Sequence, residues 1–531
     1  MAAIAVCYLF SFLEPAHERR TAALIRQHFP GLEVSLSSTV DPQFREYERL
    51  VVTAFDAYLR PVITSYVEDL GRELEANGFG CPLQIMQSNG GITSARASVD
   101  RPVGTVLSGP AAGVVAGHVA GEAAGFRDVV TVDMGGTSFD VALVRGGRIE
   151  TGWEGRLGRY PLRVPMVDVH TIGAGGGSIA RLDAAGGLKV GPESAGADPG
   201  PACYGHDGRE ATVTDASIVL GYLNPATYAG GRFPLFPELA YQAVEVRVAG
   251  PLALSVPRAA AGIHDIVNTQ MAEAVRLVSV RRGYDLRGIA LVAMGGAGPV
   301  HAGRLLKLLQ ARAVVVPPRP GVSSAYGLLL ARVRHEASRA YPRLFDRADP
   351  LQLTAIFAEI DDYCRGRMRE EGVPLDRVAV QHHAEMRYVG QSYELQVPLT
   401  GGGIDRDSLT RLLGDFHALH DRMYGHHSSD SPVEIMGVRG AHLYQLPAPP
   451  TDRPTRAGAA AADPMARRRA FFSETGEYVD TPVYARGSLG VGARVPGPAI
   501  LDQEDTTTVV YPGQVARVHE SGSVILTEEK E

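Results

Sequence analysis

Residues 129–150 read VVTVDMGGTSFDVALVRGGRIE, and no other stretch of the chain restricts its fold as tightly. Val129 to Asp133 is a β-branched strand, Gly135-Gly136 a turn, and Ser138 to Val144 a second strand. Gly146-Gly147 turns the chain again into a third strand, Arg148 to Glu150, so the stretch predicts an antiparallel meander. Its first turn carries Asp133 on one side and Thr137-Ser138 on the other. Glycines at such a turn let backbone N–H groups close on phosphate oxygens, and neighbouring hydroxyls add donors. Asp133, acceptor-only when ionised, suits Mg2+ held through water. A plain hairpin is the alternative. The hydroxyl residues directly after the glycines favour a phosphate site built from Gly135, Gly136, Thr137 and Ser138.

Glycine is in excess along the whole chain, with 61 in 531 residues, or about 11% against a usual ~7%. Two further clusters stand out. Gly173 to Ser178 (GAGGGS) lies between the strand-like segments Val164 to Ile172 and Ile179 to Leu182. No helix follows it, so it is not a dinucleotide fingerprint. Met294 to His301 (MGGAGPVH) sits between a strand, Ile289 to Met294, and a helix, His301 to Leu309, with the strand Val314 to Val316 beyond. This βαβ unit has a glycine loop at the carboxyl end of its first strand, where an adenosine moiety can lie beside backbone. Close strand–helix packing explains the same glycines. Ser108 to Gly113 opens a helix of small residues, able to cross another helix closely. Ala261 to Arg282 reads as an amphipathic helix capped by Gly283.

Several classes of function are excluded. The net charge is −7 with no basic block, against a nucleic-acid partner. Only Lys189, Lys307 and Lys530 are lysines and none follows a glycine, so the lysine-bearing phosphate loop is absent. The four cysteines are far apart in sequence, and neither H-E-x-x-H nor G-x-S-x-G occurs. His382-His383 and His426-His427 are adjacent pairs, whose rings point to opposite faces in a strand and do not chelate there. No apolar run reaches the length of about 18 residues that crosses a membrane. Ile4 to Phe12 reads as a buried strand, Asp41-Pro42 as a helix start, and Pro61 as the place where that helix kinks or splits. Glu504 to Thr508 is a polar turn into a strand, with no specific chemistry in it.

The segments VTVDMGGTSFDVALV, SGPAAGV, IGAGGGSIA, ADPGPACYG and GGAGPVHA resemble motifs of the hydantoinase A/5-oxoprolinase family. N-methylhydantoinase A and the acetone carboxylase beta subunit are proteins of this type. The resemblance runs from the N-terminal segment to Gly497-Pro498-Ala499-Ile500, over essentially the whole chain. It implies an α/β fold with an actin/hexokinase/heat-shock-chaperone-like two-lobed nucleotide-binding core, here incomplete, followed by an α+β and β-rich C-terminal region. The implied organisation is a remnant of an N-terminal domain (1–40), an ATPase-like core (41–335), an α+β region (336–446), a linker (447–463) and a β-rich domain (464–531). Asp133 to Ser138 becomes the second phosphate loop, and Gly295, Gly296, Ala297 and Gly298 the adenosine loop. Helices at Ser108 to Gly117 and at Gly321 to Gly327 become the two connecting helices, with hinge closure over nucleotide.

Such proteins cleave hydantoins, 5-oxoproline or other lactams at the expense of ATP, and relatives carboxylate ketones. The resemblance implies an ATP-using A-type subunit, with Mg2+, a small cyclic amide substrate and a B-type partner subunit in a cytoplasmic hetero-oligomer; homodimerisation stays open. Asp133 and Asp140 are the candidate catalytic carboxylates. Asp168, His170, Gly175, Gly176, Gly177, Asp198, Asp215 and His301 lie in or beside glycine-rich motifs and are candidates to face the cleft; for the titratable ones a structural hydrogen bond is the alternative. Other readings are a ketone carboxylase subunit, a sugar or small-acid kinase, and an inactive fragment or scaffold. D-x-G-G-T occurs once, whereas the family carries a first such loop upstream. The sequence thus resembles an N-terminally truncated member, expected to bind nucleotide weakly and not to turn over alone. An assay with and without the upstream segment, in the presence of a partner chain, tests this.

Overall fold

The computed structural model describes residues 2–152, 155–401, 403–447 and 463–529. The fold is α/β, and the chain divides into two compact units. One comprises residues 109–151, 167–330 and 448–531. Its centre is a nine-stranded sheet. Val129–Met134 pairs antiparallel with Phe139–Arg145, which pairs with Val169–Ile172 on its other side and continues into Arg148–Ile149. On its own other side Val129–Met134 pairs in parallel with Ala290–Met294, and that strand with Ala313–Val316. Val524–Glu528, Gln514–Val518 and Arg494–Pro496 complete the sheet, all antiparallel.

The pattern of the strands explains the core. Ala290–Met294 and Ala313–Val316 are buried on both faces, as a parallel strand covered by helices requires. Helix Val256–Val278 presents Ile263, Val267 and Met271, and helix Gly298–Leu309 presents Leu305 and Leu306, to one core with Val130, Val132, Met134, Leu291 and Val314. The amphipathic helix ends in a short turn, and Gly283 adopts the left-handed conformation expected of its cap.

The second unit comprises residues 1–108, 152–166 and 331–447. Its six-stranded sheet runs in the order Leu395–Leu399, Ala379–Tyr388, Val433–Tyr444, Arg332–Leu344, Gly91–Ser94, Gln84–Met86. Helices Pro350–Glu370 and Arg406–Tyr424 share a core with it through Phe357, Ile360, Phe416, Met386 and Ile435. A parallel pair, Ala3–Val6 and Glu33–Leu36, packs with helices Ala16–His28 and Glu46–Ala76.

Five expectations are corrected. The first strand stops at Val6, and Leu9 and Phe10 are exposed, because the chain turns at Phe10 with φ +56°. Asp41 is not an N-cap: its buried carboxylate accepts from Arg163 Nε at 2.7 Å, and the helix begins at Glu46. Pro61 lies inside an uninterrupted helix, whose turns are held by burial of Val51, Val52, Thr53 and Val67. Residues 464–531 do not form a body apart: their last strands extend the central sheet, because Val524–Glu528 finds the free edge of Ala313–Val316. Likewise the stretch 41–335 is shared between the two units. Residues 448–462 of the expected linker lie outside the described residues.

Candidate nucleotide site

The hairpin places Asp133 opposite Asp140 in register, with Met134 opposite Phe139. Val130, Val132, Phe139 and Val141 are fully buried in the core, so the alternation of the strands leaves both carboxylates on the other face. Like charges directly opposed across a ladder repel. Burial raises the pKa of both above the ordinary Asp value, and the charge of Asp140 adds to the rise at Asp133. Each has one donor opposing the shift. Ser324 Oγ donates to Asp133 Oδ2 at 3.0 Å, and Thr171 Oγ1 to Asp140 Oδ1 at 2.6 Å.

Between them the turn closes through Gly135 N–H to Ser138 C=O at 3.2 Å. Gly135, Gly136 and Thr137 are exposed. Among the described residues nothing accepts from the N–H groups of Gly136 and Thr137, nor bonds the hydroxyls of Thr137 and Ser138. The turn therefore presents a short row of donors to solvent beside two carboxylates.

Gly173 to Ser178 lies behind this turn rather than beside it in a cleft. Gly176 N–H donates to Gly135 C=O at 3.0 Å and Gly177 N–H to Gly136 C=O at 2.7 Å. These two bonds hold the carbonyls of Gly135 and Gly136, while the N–H groups of Gly136 and Thr137 have no acceptor among the described residues. A Cβ on Gly175 would stand 2.5 Å from Gly136 C and Thr137 N. Gly175, Gly176 and Gly177 are buried, and Thr214 Oγ1 fastens the loop through Gly176 C=O at 2.8 Å.

The second glycine loop joins the first directly, because Met294 pairs in parallel with Asp133. Gly295 has φ +80°, and a Cβ there would meet Met134 O at 2.2 Å and Asp133 Oδ1 at 2.5 Å. Ala297 N–H donates to Met134 C=O at 3.1 Å. The helix Gly298–Leu309 starts at the end of this loop, with Pro299 in its first turn, so its N-terminal end points its partial positive charge at the same place.

The other candidates divide. Asp215 is fully buried and caps the helix Val213–Val219 in a capping box with Thr212. It also accepts from the N–H groups of Ala202 and Cys203 at 3.2 and 2.8 Å. Asp215→Ala leaves these donors buried without an acceptor and is expected to lower stability by about 3 kcal/mol, measured as a fall in the denaturation midpoint. His301 is buried, stacks on His264 at 4.6 Å and bonds Asn268 Oδ1 through Nδ1 at 3.2 Å. Burial pushes its pKa down to about 3, so it is a neutral core histidine and not a cleft residue. Asp198 is exposed and makes no hydrogen bond or ion pair among the described residues. Asp168 is half-buried just before the edge strand Val169–Ile172, and His170 is half-buried within it.

Residues outside the glycine loops complete the site. Helices Ser108–Ala123 and Ser323–Leu330 cross within the same unit at Gly327, where a Cβ would stand 1.9 Å from Ala112 O. Their small residues bring Gly113 and Ser324 against the Asp133 carboxylate. Ser324 is legible only through the small-residue pattern around it. Asp505 and Thr506, which bond Gly321 N–H and Gly296 C=O, carry no sequence signal for this place.

Residues 49–337 match the hydantoinase/oxoprolinase family model and residues 346–526 match the hydantoinase/oxoprolinase C-terminal domain. The chain belongs to the hydantoinase/oxoprolinase family. It is 38% identical over 529 residues to the caprolactamase subunit alpha of Pseudomonas jessenii, covering 99% of this chain and 76% of that one. It is 32% identical over 552 residues to the acetophenone carboxylase gamma subunit of Aromatoleum aromaticum, covering 99% and 74%. With 5-oxoprolinase 1 of Arabidopsis thaliana it shares 30% over 551 residues, 98% of this chain but 42% of the relative. The crystal structure of the ATP-dependent caprolactamase from Pseudomonas jessenii superposes with a TM-score of 0.89 at 37% identity, over 100% of this chain and 77% of that one. A nucleotide-free acetone carboxylase structure gives 0.79 at 26% identity, over 99% and 76%.

Proposed function

We propose that this chain is the nucleotide-using subunit of an enzyme that opens a small cyclic amide at the expense of ATP. The observation that carries this is the turn Gly135–Ser138: N–H groups of Gly136 and Thr137 with no acceptor among the described residues, and hydroxyls, beside two carboxylates whose charged forms are disfavoured in the free protein. The family and the likeness to an ATP-dependent caprolactamase support it.

An unstrained lactam is a poor electrophile with a poor leaving group. Transfer of the γ-phosphoryl group to its amide oxygen, with release of ADP, makes an activated imidate phosphate. One water then adds at carbon, the ring C–N bond breaks as the nitrogen takes up protons and leaves as the amine, and a second water cleaves the resulting acyl phosphate to a carboxylate and inorganic phosphate. The first step needs positioning and charge stabilisation more than a protein nucleophile. The N–H groups of Gly136 and Thr137, with the hydroxyls of Thr137 and Ser138, serve the phosphate oxygens. The loop Gly295–Gly298 serves the adenosine.

Mg2+ fits the donor set in one way only. Among the described residues no cluster of three or more His, Cys, Asp or Glu side chains converges on a point. Asp133, with Asp140 opposite it across the hairpin, would hold the ion through water, and phosphate oxygens would fill the rest of its shell. The ion would neutralise phosphate charge, and it would draw both carboxylates into their ionised forms. Mg-nucleotide affinity is therefore expected to fall on acidification at a pH above the ordinary Asp value of 3.8, because both pKa values are raised. A titration of affinity against pH checks this.

Ketone carboxylation is the second reading, favoured by the acetophenone and acetone carboxylase relatives. It would use the same phosphate site on an enolate oxygen. The deciding assay mixes this chain with a B-type partner subunit and ATP, then measures ADP release with caprolactam, hydantoin, 5-oxoproline, or acetone plus bicarbonate. Whatever ADP release the mixture gives is expected to depend on a cyclic amide. Release that depends on ketone and bicarbonate instead would replace it with the second reading.

A further inference from the structure

The turn Gln503–Thr506 lies within residues matched by the C-terminal domain, some 170 residues after the end of the match to the hydantoinase/oxoprolinase model. It nonetheless grips both loops that border the adenosine side of the candidate site. Thr506 Oγ1 donates to Gly296 C=O at 2.8 Å, and the Thr506 side chain is buried. Asp505 Oδ2 accepts from Gly321 N–H at 2.9 Å, and the backbone O of Asp505 lies 2.7 Å from where a Cβ of Gly321 would stand. Gln503 Nε2 donates to Pro318 C=O at 2.6 Å. The two loops so gripped are themselves tied, through Gly295 N–H to Pro320 C=O at 2.8 Å. One turn thus fixes the exposed glycine of one loop and the entry to the helix that carries Ser324.

We infer that Asp505 and Thr506 belong to the adenine-nucleotide site, setting the position of the loop Gly295–Ala297 against the adenosine moiety. The inference rests on the nucleotide reading above and adds to it a contribution from the C-terminal domain. Phosphate binding sits elsewhere, at Gly135–Ser138, and makes no hydrogen bond with Asp505 or Thr506. The two ends of the nucleotide should therefore respond differently to loss of the grip. Asp505 and Thr506 act through the loops and are positioning residues.

The test is calorimetric titration of the full chain and of the double variant Asp505→Ala/Thr506→Val with Mg-ADP and, separately, with Mg-pyrophosphate. Thr506→Ser keeps the hydroxyl and serves as the rescue. Glu504→Ala breaks only the exposed pair with Arg232 in the same turn and serves as the control. The expected result is a tenfold or greater loss of Mg-ADP affinity in the double variant, unchanged Mg-pyrophosphate affinity, and native behaviour of Thr506→Ser and Glu504→Ala. Unchanged Mg-ADP affinity overturns the inference, and so does a parallel loss of both ligands, which marks a merely structural role. If the double variant does not fold, Thr506→Val alone is compared with Thr506→Ser on the same two ligands. Failure of the unaltered chain to bind Mg-ADP at all overturns the nucleotide reading itself, a result distinct from the others.

Discussion

Gly175→Ala is expected to abolish nucleotide binding and to remove about 2–3 kcal/mol of stability. The new methyl group would stand 2.5 Å from Gly136 C and Thr137 N, and 2.6 Å from Gly136 O. These are backbone atoms of the proposed phosphate turn, so no side chain can swing away to make room. Either the loop Gly173–Ser178 retreats, breaking the bonds from Gly176 and Gly177 that hold the turn's carbonyls, or the turn is pushed out of shape. In both cases the row of N–H donors loses its alignment. Gly414→Ala is the matched control, in the helix Arg406–Tyr424 with open space at its Cβ. It should leave Mg-ADP affinity alone and add about 0.5–1 kcal/mol of stability. Denaturation and titration on the two variants read both numbers; native affinity in Gly175→Ala would mean that the turn is not braced from behind.

Asp133→Asn should move stability and function in opposite directions. Burial and the opposed Asp140 raise the pKa of Asp133, so ionisation is less favourable in the folded chain than in the unfolded one. The sign follows from linkage: a raised carboxyl pKa gives stability that is complete below the unfolded value and is lost as pH rises through the folded value. At neutral pH the native aspartate therefore destabilises the free protein. Asparagine removes that term and keeps an acceptor for Ser324 Oγ. The variant is expected to melt about 1–3 °C higher than the native chain without ligand. It should also lose the stabilisation by Mg-nucleotide, which in the native chain is about 2.7 kcal/mol at a ligand concentration 100 times the dissociation constant. Thermal melts of both proteins with and without Mg-ADP measure this; a lower melting point for the free variant would mean that Asp133 is held ionised by a partner in the protein itself.

The hairpin that carries Asp133 was legible because its signals are local: β-branched strands, two glycine pairs and hydroxyls within 22 residues. The unit formed by Ala290–Met294, Gly298–Leu309 and Ala313–Val316 was legible for the same reason. What the sequence hid are the contacts between distant segments. Ser324 reaches Asp133 across 191 positions, and Thr506 reaches Gly296 across 210. Nothing in a polar turn such as Glu504 to Thr508 announces which carbonyl it will bond. Proximity to glycine also misled. Asp215 and His301 stand beside glycine-rich motifs, yet one caps a buried helix and the other stacks in the core. Gly175 to Gly177 are there for the space they leave, which becomes visible only when the turn they support is seen.

The proposed function stands on phosphate binding by the segment Asp133 to Ser138. Its most direct test is calorimetric titration of this chain with Mg-ADP at neutral pH, beside Asp133→Ala. The expected result is saturable 1:1 binding by the native chain that Asp133→Ala abolishes. Equal binding by both proteins, or no binding by a native chain that is fully folded by circular dichroism, would contradict it.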